Sequence, residues 1–115
     1  FYENQGIYKE FSGVVEEVDE GDEIAKALGK KKVAILQNHG ILTTGPSVDI
    51  ALWFYMSMER CCQAQLMAEA AGKPKIIPRE TAIKTREFIA NDIAAWASYQ
   101  PAFDKIVKMQ PDLLD

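Results

Sequence analysis

The hydrophobic positions of this chain fall into two short runs in its first half and two long helical patterns in its second. Val33-Ala34-Ile35-Leu36 is apolar at every position and of strand length, which predicts a strand covered on both faces. Gln37-Asn38-His39-Gly40 interrupts the run, and Ile41-Leu42-Thr43-Thr44 resumes it with strand-like composition. Gly45-Pro46-Ser47 then turns the chain. Ser47 reads as a helix N-cap, with Asp49 in the first turn facing the positive end of the helix dipole. The pattern from Val48 to Ala71 predicts one long helix, stopped by Gly72 with Pro74 just beyond. In the first half of that helix Leu52, Trp53, Phe54, Tyr55, Met56, Met58, Cys61 and Cys62 occupy nearly every direction. A helix apolar all round is expected to be buried on several sides, against another subunit or a further part of the domain.

On either side of this block the pattern is weaker. Residues 1–13 read as loop, with Gly6 and Gly13 as break points. Val14-Val15-Glu16-Glu17-Val18 is β-branched and partly alternating, which predicts a short edge strand. Asp19-Glu20-Gly21-Asp22 reads as a turn. Ile24, Ala27 and Leu28 then mark a short amphipathic helix that Gly29 ends. After a linker over 73–78, a second amphipathic helix is expected over 79–99, broken by Pro101. A last short helix over 102–109 and a tail follow.

Composition narrows the function classes. With 115 residues, 48% hydrophobic and 26% charged, the chain has the makeup of one globular domain or part of a larger one. The formal net charge is −4, so there is no basic footprint for nucleic acid. The Lys30-Lys31-Lys32 run reads as solvated surface at a helix end. No apolar run approaches the roughly 20 residues of a membrane span, and no signal-peptide pattern opens the chain. It begins Phe1-Tyr2-Glu3-Asn4 without a methionine, which suggests an internal fragment, a processed chain or a trimmed one. Cys61 and Cys62 are adjacent on the expected helix and point about 100° apart. A disulfide framework and a thiolate metal site are therefore not expected, and a reducing, cytoplasmic setting is.

Candidate chemistry centres on His39, the only histidine. An imidazole at a strand end suits a zinc or iron ligand or a general base, and Gly40 beside it would permit a backbone conformation that a side chain blocks. The ordinary alternative is a histidine hydrogen-bonded within its turn. One histidine does not make a catalytic zinc site, which usually takes three protein ligands plus water. The acidic pairs Glu16-Glu17, Asp19-Glu20 and Asp22-Glu23 read as solvated surface. Tyr2 and Tyr8 read as packing or substrate-lining groups, Ser47 as a cap rather than a nucleophile, and Met56, Met58 and Met67 as core filling. No glycine-rich phosphate loop is present, so no nucleotide cofactor is expected.

The stretches from Leu36-Gln37-Asn38-His39-Gly40 to Thr43-Thr44-Gly45, Val48-Asp49-Ile50-Ala51-Leu52-Trp53, and Met58-Glu59-Arg60-Cys61-Cys62-Gln63 occur in an order that resembles the class II aldolase/adducin family, of which L-fuculose-phosphate aldolase is a member. The resemblance covers about residues 7–72. It implies a three-layer α/β/α fold around a mainly antiparallel sheet, of which residues 1–72 would be the second half and 73–115 a C-terminal helical extension. It also implies a homotetramer with active sites between subunits. The implied activity is a zinc-dependent carbon–carbon lyase acting on a sugar phosphate or similar hydroxy-carbonyl compound. The alternative is a non-catalytic, adducin-like module for oligomerisation or cytoskeletal binding. In the family's enzymes zinc is held by a His-x-His pair in the first half of the domain and a third histidine in the second; His39 matches that third ligand. This chain has no His-x-His, and the first-half phosphate-binding segment and catalytic glutamate are absent too. The remaining ligands would come from outside the chain, which alone would bind zinc weakly and catalyse nothing. Tyr8 is the nearest match to a catalytic tyrosine.

Overall fold

A computed structural model describes residues 1–10 and 18–114. The elements are β1 (Gln5–Tyr8), α1 (Val18–Leu28), β2 (Val33–Leu36), β3 (Gly40–Thr43), α2 (Val48–Ala71), α3 (Arg79–Ile89) and α4 (Asp92–Met109), with a closing 3-10 turn at Pro111–Leu114. The strand expected over Val14 to Val18 lies, apart from Val18, outside the described residues.

The sheet has the order β1-β2-β3. β1 runs parallel to β2, with Gln5 opposite Val33 and Tyr8 opposite Leu36. β2 and β3 form an antiparallel hairpin, with Val33 opposite Thr43 and Leu36 opposite Gly40. Residues paired across strands share a face. One face therefore carries Gly6, Tyr8, Ala34 and Leu42, and the other carries Ile7, Val33, Ile35, Ile41 and Thr43. α1 covers the first face: a Cβ on Gly6 would fall 2.1 Å from the Ala27 carbonyl oxygen. α2 covers the second, where the Thr43 hydroxyl donates to the Ala51 carbonyl over 2.9 Å. The result is three α/β/α layers, with Val33 and Ala34 of the central strand fully buried as the unbroken apolar run requires.

Residues 5–8 form a strand where a loop was expected. Gly6 is not a break point there; it makes room for the backbone of α1. α1 begins five residues earlier than its apolar spacing indicates, because Asp19 and Glu20 in its first turn complement the helix dipole instead of forming a turn. α2 has the expected bounds. Ser47 precedes it with extended backbone (φ −147, ψ 162), but its side chain makes no capping hydrogen bond. Instead it hydrogen-bonds to Asp49 and lowers that carboxyl's pKa.

α2 buries a single stripe, Ile50, Phe54 and Met58. Ile50 and Phe54 pack with Ala95 of α4, and Phe1 and Trp53 close the cluster. The Phe1 ring meets Phe54 edge-on at 6.2 Å. Of the first-half residues expected to be covered by another subunit or a further part of the domain, Leu52, Tyr55 and Cys61 are exposed within this chain. Burying a large apolar side chain contributes about 1.5–3 kcal/mol, so these positions represent stabilisation that the described residues do not supply.

The single helix expected over 79–99 is two. The chain breaks at Ala90 and Asn91, where the Asn91 side chain caps α4 by accepting from the Ala94 N–H (2.9 Å). α4 then continues through Pro101 to Met109. α3 buries no residue; Arg79 forms a two-pronged ion pair with Glu3, and Arg86 donates to the Tyr2 carbonyl. Among the described residues no helix is long and apolar enough to cross a membrane.

Candidate functional site

The hairpin between β2 and β3 has three residues in which to reverse, because Leu36 and Gly40 are already paired. Gln37, Asn38 and His39 make that turn. The His39 N–H donates to the Leu36 carbonyl over 3.0 Å, and Asn38, in the third position of the four-residue turn, has φ 61. A positive φ at that position, with none at Gln37, fits a type II rather than a type I′ turn. Gly40, expected to supply the permissive backbone, does not: its φ is not left-handed and a Cβ there would meet nothing within 4 Å. The permissive conformation falls one residue before His39 rather than one after it. Asn tolerates it better than other side-chain-bearing residues.

The turn is fastened to the rest of the sheet. The Gln37 N–H donates to the Tyr8 carbonyl over 2.9 Å, continuing the parallel β1–β2 pairing to the end of both strands. His39 is thus exposed at the C-terminal end of the parallel pair.

The other sequence candidates are placed as follows. Tyr8 is 9% exposed and turned toward α1, where its hydroxyl donates to Glu20 over 3.4 Å. Burial, reinforced by the charge of Glu20, pushes its phenol above its ordinary pKa, so Tyr8 stays a neutral donor. The structure joins it to the His39 turn through its backbone carbonyl. Tyr2 lies before β1, at the opposite end of that strand. Asp19 and Glu20 are in the first turn of α1, Glu23 pairs with Lys26, and Glu16-Glu17 lies outside the described residues. Met58 joins the buried stripe, whereas Met67 is exposed. Cys61 and Cys62 are free thiols. Burial and the charge of Glu59 raise the Cys62 thiol, which disfavours a reactive thiolate. Two surface grooves, one along Pro101, Asp104 and Lys108 and one along Arg79, Ile83 and Glu87, do not include His39.

Among the described residues no group of three or more His, Cys, Asp and Glu side chains is placed to hold a metal ion. One exposed imidazole suits a divalent metal as a donor, but it does not make a set by itself.

Residues 2–66 match the family described as Class II Aldolase and Adducin N-terminal domain. Over 113 residues the chain is 39% identical to decarboxylase NovR of Streptomyces niveus, a match covering 98% of this chain and 42% of that protein. It is 36% identical, also over 113 residues, to the 4-hydroxy-3-prenylphenylpyruvate oxygenase/4-hydroxy-3-prenylbenzoate synthase of Streptomyces roseochromogenus subsp. oscitans, covering 98% and 41%. Its fold superposes on L-fuculose 1-phosphate aldolase from Glaciozyma antarctica PI12 with a TM-score of 0.84 at 33% identity, covering 97% of this chain and 41% of that one. The chain therefore spans about two fifths of the length of these relatives. By the extent of these matches, the chain belongs to the class II aldolase and adducin family.

Proposed function

We propose that this chain is part of a zinc-dependent class II aldolase-type lyase in which His39 is one ligand of the metal. The observation that carries the reading is the position of His39, exposed in a fastened turn at the C-terminal ends of β1 and β2. The remaining donors come from polypeptide beyond these residues, in keeping with the two-fifths coverage and with the uncovered apolar side chains of α2. The working form is a homo-oligomer, a tetramer by resemblance.

The relatives include an aldolase and a decarboxylase by name. Both reaction types break a carbon–carbon bond and must accommodate the electron pair it leaves. A divalent metal, when bound, supplies that capacity as a Lewis acid toward the oxygens of a hydroxy-carbonyl substrate. The chain's own contribution is to hold the backbone that carries His39: the Leu36–Gly40 pairing and the Gln37–Tyr8 hydrogen bond keep the turn in place. A sugar phosphate or a similar hydroxy-carbonyl compound is the substrate class that fits this reading.

A non-catalytic, adducin-like association module is the second reading, favoured by exposed apolar residues such as Phe88 and Ile93. Zinc content of the natively assembled protein, with and without His39→Ala, separates the two. Stoichiometric zinc that the substitution abolishes supports the lyase. An assembly without zinc, or zinc that His39→Ala leaves in place, removes His39 from the chemistry and favours the module.

A further inference from the structure

We propose that α3 is a strap held by an ionic latch: Arg79 and Arg86 fasten it to the turn before β1, and raised salt releases it while α2 and α4 stay packed. Phe1 to Asn4 form that turn, closed by the Asn4 N–H donating to the Phe1 carbonyl over 2.8 Å. The turn belongs to the body of the fold. Phe1 packs against the cluster of Ile50, Phe54 and Ala95, and the Asn4 side chain accepts from the Lys32 N–H.

α3 meets the turn along one stripe. At about 100° per residue, Arg79, Ala82, Ile83 and Arg86 share a face, and Ala82, Ile83 and Arg86 are the half-buried positions of the helix. Phe88 lies on the opposite side and is 80% exposed. Arg79 donates to both Glu3 carboxylate oxygens, at 2.9 and 3.2 Å, and Arg86 donates to the Tyr2 carbonyl over 3.1 Å. The side chains of Arg79 and Glu3 are 65% and 45% exposed, so salt screens their attraction. α1 also buries no residue outright, but there Gly6 brings two backbones together. α3 is held by side chains.

Both ends of α3 are placed to let go. Residues 73–78 before it carry no helix or strand, and the chain breaks after it at Ala90 and Asn91. α4 has anchors of its own: Asn91 caps it, and the fully buried Ala95 seats it against Ile50 and Phe54. Pro78, at the head of α3, supplies no side-chain cap, and the helix has 11 residues. Isolated helices shorter than about 12–15 residues are marginal in water. Release therefore also melts α3, and its amides then exchange with solvent.

Hydrogen exchange read by mass spectrometry tests this on the natively assembled protein, as wild type and as Glu3→Gln. Salt is raised from about 0.1 M to 1 M, over which the screening length falls from about 10 Å to 3 Å. In wild type the α3 amides should exchange at least about tenfold faster than those around Phe54 and Ala95. Salt and Glu3→Gln should each speed α3 by about two- to fivefold, the size of an exposed ion pair, and leave α4 around Ala95 unchanged. In Glu3→Gln, salt should add little more.

Three results overturn the latch. One is an α3 as protected as α2 in wild type. Another is an α3 rate that either salt or Glu3→Gln fails to move. The third is acceleration of α3 and α4 together, which makes them one cooperative unit. The salt series on wild type needs no variant, so it decides even if Glu3→Gln does not fold.

Discussion

Gly6 lies against Ala27 so closely that a Cβ on residue 6 would sit 2.1 Å from the Ala27 carbonyl oxygen and 2.8 Å from its carbonyl carbon. The contact is backbone against backbone, so no change of rotamer relieves it. Gly6→Ala must push α1 off β1 and weaken the Tyr8–Glu20 hydrogen bond on the same face. The expected cost is at or above the upper part of the ~1–3 kcal/mol typical of overpacking. It is read as a lower urea midpoint, and an unchanged midpoint would mean that α1 is not seated on β1 in this way.

Lys32 joins three elements just before β2. Its ammonium lies 4.8 Å from the centre of the Phe54 ring and forms an ion pair with Asp92 in the first turn of α4. Its N–H donates to the Asn4 side chain over 3.2 Å. Its side chain is only 28% exposed, so the cation is partly shielded from solvent. Lys32→Met, which keeps the apolar stem, should cost about 1 kcal/mol from the lost charge contacts. A double-mutant cycle with Asp92→Asn checks this. The coupling should shrink as salt is raised, and a coupling of zero at low salt would rule out a stabilising ion pair.

Asp49 gives the acid side of the stability profile a recognisable shape. Hydrogen bonding from Ser47 is the main force holding its carboxyl below the ordinary value of 3.8; the Ile50 N–H and the Gln100 amide add to it, while partial burial works the other way. A carboxyl lowered in the folded state contributes stability that is complete above the unfolded value. That contribution is lost as pH falls through the lowered folded value. Asp49→Asn should therefore flatten the loss of stability below about pH 4 and leave the alkaline side unchanged. Unfolding curves across the acid range measure this, and equal acid slopes for the two proteins would contradict it.

The parts of the fold that were legible in the sequence are those made by local pattern. Val33 to Leu36 is buried at both of its first two positions, and α2 runs from Val48 to Ala71 as its spacing and Gly72 require. β1 was hidden because the reason for Gly6 is a helix 21 positions further on, at Ala27. The division between α3 and α4 is not legible in the local pattern, because Pro101 carries the stronger breaking tendency, yet the capping side chain of Asn91 sets the boundary. At the candidate site, the turn and the exposure of His39 follow from the polar break between apolar runs. Which neighbour carries the left-handed backbone does not, since Asn38 and Gly40 are both permissive and the pairing of Leu36 with Gly40 decides between them.

The two halves of the sheet differ in how far the chain must search to form them. β2 and β3 close through a three-residue turn, a hairpin that assembles in about 1–10 μs. β1 arrives parallel to β2 only after the intervening chain has crossed over: Asn4 and Lys32, which meet at its start, are 28 positions apart. Such a closure is slower because its entropy is lost before any pairing compensates. Ile35→Val should accordingly slow refolding, whereas Gly6→Ala should act mainly by accelerating unfolding, a contrast that stopped-flow kinetics resolves. The order expected from these separations is that the turn that carries His39 is made first, and that the strand which fastens it docks onto a feature already formed.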